Sequence, residues 1–289
     1  METELRIVIV HGIKNYRRGV YEQIATSLAK QFHRRLQSSP RFPWNEDDVS
    51  IEVAYYAHIL RRKGSQGGVD LEPDAESFLR VFLQPWIPDL KGAQGEFTRW
   101  LHIPVARIAS QTGFRQDIVE DFVKCFAREV TYFLRTEGRF KPKSAVIEHV
   151  SSCIEGADVV IAHSLGSIVA YETLWKNGIT VPLFVTMGSP LAFPGIIFPR
   201  ISPAPVNGKG SRPPGVRYWA NIADVGDIIA TPPGGISRQF RGVHYDRQDS
   251  IARFDFHKMT NYLRCRELGT LLQKWAEGSP PFARLSLMV

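Results

Sequence analysis

The sequence predicts an α/β fold, a mostly parallel sheet with helices on both faces, and three observations carry that expectation. Short, nearly continuous apolar runs such as Leu5–Val10 and Val181–Met187 end at turn residues, as strands buried on both faces do. Stretches of helical period lie between them, so strands alternate with helices along most of the chain. The 289 residues, 44% hydrophobic and 11% aromatic, suffice for one large domain or two small ones with a sizeable core.

Taken in order, residues 5–10 read as a buried strand stopping at His11-Gly12, and residues 16–36 as a helix closed by Ser38-Ser39-Pro40. Residues 49–56 read as a second strand. Regular alternation then fails. Gly64-Ser65-Gln66-Gly67-Gly68 reads as a flexible hinge, followed by helical patterns at 75–83, 98–109 and 117–134. In the third of these, Ile118, Phe122, Phe126, Val130 and Phe133 share one face. This divides the chain into an α/β core, residues 1–60 and 140–289, and a helical insertion, residues 61–139. Alternation resumes with a helix carrying Val146, Val150, Cys153 and Ile154, then a strand over 158–161. A helix follows over 167–176, with Ile168, Tyr171 and Trp175 at helical spacing and Asn177-Gly178 ending it. The strand 181–187 is closed by Gly188-Ser189-Pro190. Residues 217–222 form another strand, 239–245 a candidate last one, and 259–275 a final helix with Tyr262, Leu263, Leu271, Leu272 and Trp275 on its apolar face. Residues 207–215 read as a flexible connection.

Composition narrows the functional classes. The acidic start and the short first apolar run lack the basic and hydrophobic regions of a secretory signal, and no apolar stretch reaches the length of a membrane span. Cys125, Cys153 and Cys265 are odd in number and lie in helical patterns, so buried thiols in a reducing, cytoplasmic setting are expected rather than disulfides. The formal charge is +7, but the basic residues come in scattered clusters such as Arg17-Arg18, Arg34-Arg35 and Arg61-Arg62-Lys63. They accompany no nucleic-acid motif, so a solvated surface is expected and a nucleic-acid partner is not. No G-x-x-x-x-G-K-[ST] loop, H-E-x-x-H or C-x-x-C occurs, and Gly208-Lys209-Gly210-Ser211 follows no strand, so neither a metal nor a cofactor is expected.

The most informative stretch is Ala162-His163-Ser164-Leu165-Gly166, set between a strand and a helix. An ordinary turn with a capping serine would share the string. The flanking strand and helix favour a nucleophile elbow, a turn so tight that the serine backbone is strained and only small residues fit two positions to either side. Ala162 and Gly166 meet that requirement. Such a turn lifts Oγ above the sheet edge, and the Leu165 N–H at the helix start points where an oxyanion would form.

A serine nucleophile needs a base to take its proton and a carboxylate to hold that base in the right tautomer. Asp224 and Asp227 both lie just past the strand that ends at residue 222. For the base, His257 follows the last candidate strand, whereas His244 falls inside it, where alternation suggests a strand position.

Together, His11-Gly12 after the first strand, the turn at Ser164, Gly188-Ser189-Pro190, Asp227-Ile228-Ile229-Ala230 and His257 resemble the α/β-hydrolase superfamily, and within it lipase- and esterase-like serine hydrolases. The order Ser, Asp, His matches that family, and the resemblance covers most of the chain outside residues 61–140. It implies Asp227 as the acid, by likeness to an Asp-Ile-Val-Pro stretch, with Asp224 as the alternative. It also implies Ile13 N–H, just past His-Gly, as the second oxyanion donor beside Leu165 N–H. Departures are Ala162 in place of Gly, Ala230 in place of Pro, and no opening antiparallel strand pair.

The resemblance therefore implies a metal-independent hydrolase of carboxylic esters, with Ser164, His257 and Asp227 in the catalytic roles and a small-molecule ester or acyl compound as substrate. The helical insertion reads as a lid, and Phe82, Trp86, Trp100 and Phe133, with His11, Gly12 and His163, are the expected pocket residues, favouring a hydrophobic acyl group. Thioester, amide and acyl-transfer chemistry would use the same groups. A non-catalytic binding module on the same fold is the alternative from another class.

Overall fold

A computed structural model describes residues 4–61, 71–86, 97–136, 140–232, 234–251 and 257–279; the expected hinge at 64–68 lies outside them. The chain opens with strand β1 (Leu5–Val10), helix α1 (Tyr21–Gln37) and strand β2 (Val49–Ala54). Three helices follow, α2 (Pro73–Leu83), α3 (Phe97–Thr112) and α4 (Gln116–Leu134), and then α5 (Lys143–Ile154). Strand β3 (Val159–His163), helix α6 (Leu165–Asn177) and strand β4 (Val181–Met187) come next. The last part holds β5 (Gly210–Ser211), β6 (Val216–Asp224), α7 (Gly235–Gln239), β7 (Phe240–Arg241), β8 (Tyr245–Asp249), α8 (Met259–Leu263) and α9 (Arg266–Ala276).

Six strands form one sheet in the order β2-β1-β3-β4-β6-β8, and every pairing in it is parallel. A parallel sheet must be covered on both faces, and the strand residues divide accordingly. Ile7, Ile9, Val159 and Ile161 pack with Leu28, Phe32 and Leu36 of α1 and with Leu268, Leu271 and Leu272 of α9. Their neighbours Val8, Val10, Val160 and Ala162 pack on the other face with residues of α2 to α6. The chain crosses from β1 to β2 on one side and later lays β3 on the other side of β1. That reversal opens a crevice beyond the carboxyl ends of β1 and β3, where open parallel sheets hold their ligands.

Several boundaries differ from the sequence expectation, each for a local reason. Helix α1 starts at Tyr21 and not at residue 16, because Gly19 (φ 139°) and the extended Val20 break the helical path. The strand expected at 239–245 is replaced by the end of α7, the two-residue β7 and a turn at Gly242 (φ 81°). The sheet's last strand is β8, whose sequence Tyr-Asp-Arg-Gln-Asp is mostly exposed, as an edge strand permits. The connection over 207–215 contains β5, which pairs in parallel with β7. The final helix is two helices, since Cys265 (φ −70°, ψ 148°) is extended and caps α9. Among the described residues, no helix is long and apolar enough to cross a membrane.

Candidate active site

Because the strands run in parallel, their carboxyl ends lie on one edge, and the turns leaving β1, β3, β4 and β6 meet there. The turn after β3 carries Ser164 at φ 56°, ψ −131°, a region that side-chain-bearing residues rarely adopt. Its N–H still donates to Met187 O on the neighbouring strand at 3.1 Å, while its carbonyl already accepts the helical Ser167 N–H at 2.9 Å. Ser164 thus belongs to strand and helix at once, and the strain is the result. Gly166 cannot carry a side chain, since a Cβ would stand 2.4 Å from the carbonyl oxygens of Val10 and His11. Behind the turn, Ser167 Oγ bonds the Ser164 carbonyl at 2.6 Å and Ser189 Oγ at 2.7 Å.

The structure brings Ser164, His257 and Asp227 into one buried chain. His257 Nε2 lies 2.6 Å from Ser164 Oγ, and His257 Nδ1 lies 2.7 Å from Asp227 Oδ2. With Nδ1–H donating to the carboxylate, Nε2 is left to accept the hydrogen bond of the Ser164 O–H. Asp227 Oδ1 accepts the Ile229 N–H at 2.9 Å, which fixes the carboxylate plane. Burial pushes the Asp227 carboxyl up, but the His257 charge and the bonds from His257, Tyr262 and Ile229 outweigh it and hold its pKa below the ordinary value. Asp224, the alternative acid, instead turns Oδ1 onto the Gly226 N–H at 3.0 Å within its own loop. His244 sits elsewhere, just ahead of β8 and not within a strand, with Nδ1 accepting the Trp219 N–H at 3.2 Å.

Two residues of this chain were not singled out for roles in the sequence. Tyr262 reads there only as part of an apolar helix face, yet its hydroxyl donates to Asp227 Oδ2 at 2.7 Å and accepts the Asp224 N–H at 2.9 Å. Burial and the Asp227 charge push the Tyr262 pKa far up, so it remains a donor. Gly188 (φ 52°) leaves the room in which the pair meets; a Cβ there would lie 2.8 Å from Asp227 Oδ2 and 3.2 Å from His257 Nδ1. Nothing periodic marks a core tyrosine whose hydroxyl has a partner. The Gly188-Ser189-Pro190 turn was the available signal for the other.

The loop after β1 closes over the serine. A Cβ on Gly12 would lie 2.7 Å from Ser164 Cβ. His11 is fully buried, stacks on Tyr56 at 4.3 Å, bonds Gly12 O through Nδ1 at 2.8 Å and accepts the Tyr56 N–H at Nε2. Burial lowers its pKa to about 4, so the ring is neutral and structural. Lys14 adopts φ 60°, and its N–H donates to Glu129 Oε1 of α4 at 3.2 Å, which ties the loop to the helical segment. Among the described residues, no hydrogen bond engages the N–H of Ile13 or of Leu165. Three of the five non-glycine residues with positive φ among those described, Lys14, Ser164 and His257, surround this spot. Strain so concentrated is typical of a working site.

A cavity of about 410 Å³ reaches His257 and His163. Phe114, Ile118 and Phe122, from α4 and the turn before it, form one part of its apolar lining, with the Phe122 ring edge-on to His257 at 5.4 Å, and Leu28, Phe32 and Met259 form another. His163 is 4% exposed, and its Nε2 has no partner among the described residues. Burial, and then the nearby His257, push its pKa well below the usual range, so it is neutral. Of the aromatic residues expected to line a pocket, Phe82, Trp100 and Phe133 lie in the core formed by α2 to α6. Phe133 faces Lys143 there, and Trp100 faces Arg80. Trp86 lines a separate hollow of about 440 Å³ with Phe114, Asp224 and Asp227. Among the described residues, no group of His, Cys, Asp or Glu side chains is placed to hold a metal ion. No protein-family model, curated protein or solved structure matches the chain.

Proposed function

We propose that the protein is a serine hydrolase of the α/β-hydrolase type, cleaving carboxylic esters through an acyl-enzyme. The observation that carries this reading is the chain Asp227–His257–Ser164, with contacts of 2.7 and 2.6 Å from residues far apart in sequence. Ser164 Oγ attacks the acyl carbon as its proton passes to His257 Nε2. Asp227 keeps the Nδ1–H tautomer and stabilises the imidazolium. The carbonyl oxygen, now negative, takes hydrogen bonds from the N–H groups of Ile13 and Leu165, each worth about 3 kcal/mol in the transition state. His257 then gives its proton to the leaving alkoxide. A water enters by the reverse sequence, deacylating Ser164.

In this reading the helical segment between β2 and α5 is the lid over the site, and the Glu129 bond to the Lys14 N–H lets α4 brace the oxyanion loop. The apolar wall at Phe114, Ile118 and Phe122 suits a hydrophobic acyl group. Cys125, Cys153 and Cys265 are free thiols, in keeping with a cytoplasmic setting.

A fluorophosphonate probe tests the proposal. Wild type is expected to be labelled at Ser164, and Ser164→Ala is expected not to be. Absence of labelling and of esterase turnover in a wild type that melts cooperatively would replace this reading with that of a non-catalytic binding module.

A further inference from the structure

The loop after β1 is held at one carbonyl after another. Tyr56 OH donates to His11 O at 2.7 Å, and further along Glu129 Oε1 accepts the Lys14 N–H at 3.2 Å. Between these anchors the half-buried Asn15 turns its side chain back over the loop, and Nδ2 donates to Gly12 O at 3.1 Å and to Ile13 O at 3.0 Å. Gly12 O takes a second bond, from His11 Nδ1 at 2.8 Å; His11 Nε2 accepts the Tyr56 N–H, so the ring proton sits on Nδ1. The consequence falls on an N–H. The Gly12–Ile13 peptide is trans, so its N–H points away from its C=O. With that carbonyl drawn to His11 and Asn15, the Ile13 N–H is turned to the opposite side, and among the described residues no hydrogen bond engages it. The same loop lies against the nucleophile turn, where a Cβ on Gly12 would come within 2.7 Å of Ser164 Cβ.

Resting on the reading of Ser164 as nucleophile, we infer that Asn15 is a positioning residue of the oxyanion hole: its amide clamps the carbonyls of Gly12 and Ile13 and so aims the Ile13 N–H at the oxygen that becomes negative. It acts through that peptide and touches no reacting atom. A donor stabilises a developing charge best when it is aimed before the charge appears, and a peptide fixed at its carbonyl need not reorganise during the step. Alanine at this position would leave Ile13 O without this bond and Gly12 O with His11 alone. Aspartate would set a carboxylate, which has no proton to donate, against two carbonyl oxygens. Either change frees the peptide to rotate. The bonds made and broken at the acyl carbon stay the same, and only the stabilisation of the tetrahedral intermediate alters.

The test compares wild type with Asn15→Ala and Asn15→Asp on 4-nitrophenyl hexanoate and on its thiono counterpart, in which C=S replaces C=O. Sulfur accepts hydrogen bonds weakly, so the thionoester draws little on the two donors and reports the rest of the machinery. For the oxygen ester, kcat is expected to fall about 30-fold in Asn15→Ala and at least as far in Asn15→Asp, with KM within about twofold, a smaller loss than that of an oxyanion donor removed outright. For the thionoester the fall is expected to be about threefold, so the ratio of the two rates drops about tenfold. Hexyl trifluoromethyl ketone, whose adduct with Ser164 carries the same oxyanion, is expected to bind about 30-fold more weakly to Asn15→Ala. A residue that only propped the loop would raise KM or slow both esters alike. Equal losses on the two esters, an unchanged kcat, or loss of cooperative melting in both variants would overturn this inference, and labelling of wild-type Ser164 by the fluorophosphonate would leave the hydrolase reading standing. A wild type that cleaves neither ester and stays unlabelled would overturn both.

Discussion

The sheet-edge turns and the cavity wall facing them differ in how they are held. Ser164, Asp227 and His257 are 0%, 5% and 5% exposed, and each lies against a glycine, Gly12 or Gly188, on which a Cβ would come within 3.2 Å of it. Across the cavity, Ile118 is 48% exposed, and Lys14, Arg17 and Lys258, which also line it, are exposed. The first region is determined by packing and by strain borne by the sheet; the second is a solvent-facing surface with few constraints on its side chains. Groups that must meet to within tenths of an ångström sit on rigid strand ends, and groups that need only attract a ligand sit on a helix end and loops. Substitutions on the two sides should therefore fail in different ways.

The largest effect is expected for Ser164→Ala, which should lower kcat for an activated ester by about 10⁶-fold while leaving the melting temperature intact or raised, since a buried hydroxyl is removed and the backbone keeps its conformation. Asp227→Asn should follow with about 10⁴-fold in kcat, because an amide favours the wrong His257 tautomer. If Asp224→Asn were the more damaging change, the rigid side of the comparison would be misassigned. Gly188→Ala should cost about 10²-fold by forcing Asp227 and His257 apart, with cooperative unfolding retained. On the open side, Phe122→Ala should mainly raise KM for a hexanoyl ester, by about tenfold, as expected for lost apolar burial of 1–2 kcal/mol. A loss in kcat as large as that of Gly188→Ala would erase the contrast between the regions.

A pH series sharpens the same contrast through stability. Burial keeps His11 neutral down to about pH 4, whereas the unfolded chain takes up that proton near pH 6.5. The unfolded state therefore binds more protons between these values, and stability falls as pH falls from 6.5 towards 4, by on the order of 3 kcal/mol from His11 alone. His163 acts in the same direction. The depressed Asp227 contributes stability that is present above pH 3.8 and is lost as pH drops below it. Urea unfolding at pH 7, 5.5 and 4 measures the sum, and nitrogen-15 shifts of His11 should show a ring unprotonated at pH 5.

Much of this was legible in the chain because its cause is local. The strand, tight bend and helix around Ser164 span about twenty residues, and the small residues at 162 and 166 announce the steric demand before any tertiary contact forms. The parallel, two-face-covered sheet was legible for the same reason: runs such as 5–10 and 181–187 have no polar face to give to water. The edge strand β8 was not legible, since an edge needs no continuous apolar run. Nor was the cavity wall. Periodicity put Ile118, Phe122, Phe126, Val130 and Phe133 on one face of α4, but not which end of that face overhangs His257 and which is swallowed by the core.

By itself, then, the sequence determined the alternation of buried strands and helices and the strained bend at Ser164, because both follow from contacts within a turn or two of chain. Only the tertiary structure decided which carboxylate faces His257, that Tyr262 and Gly188 shape their meeting, and that cations and an apolar helix end share one cavity. Those outcomes depend on residues 30 to 93 positions apart being brought together at one sheet edge. Pairing at that range is set by strand order and packing, which no short stretch of sequence contains.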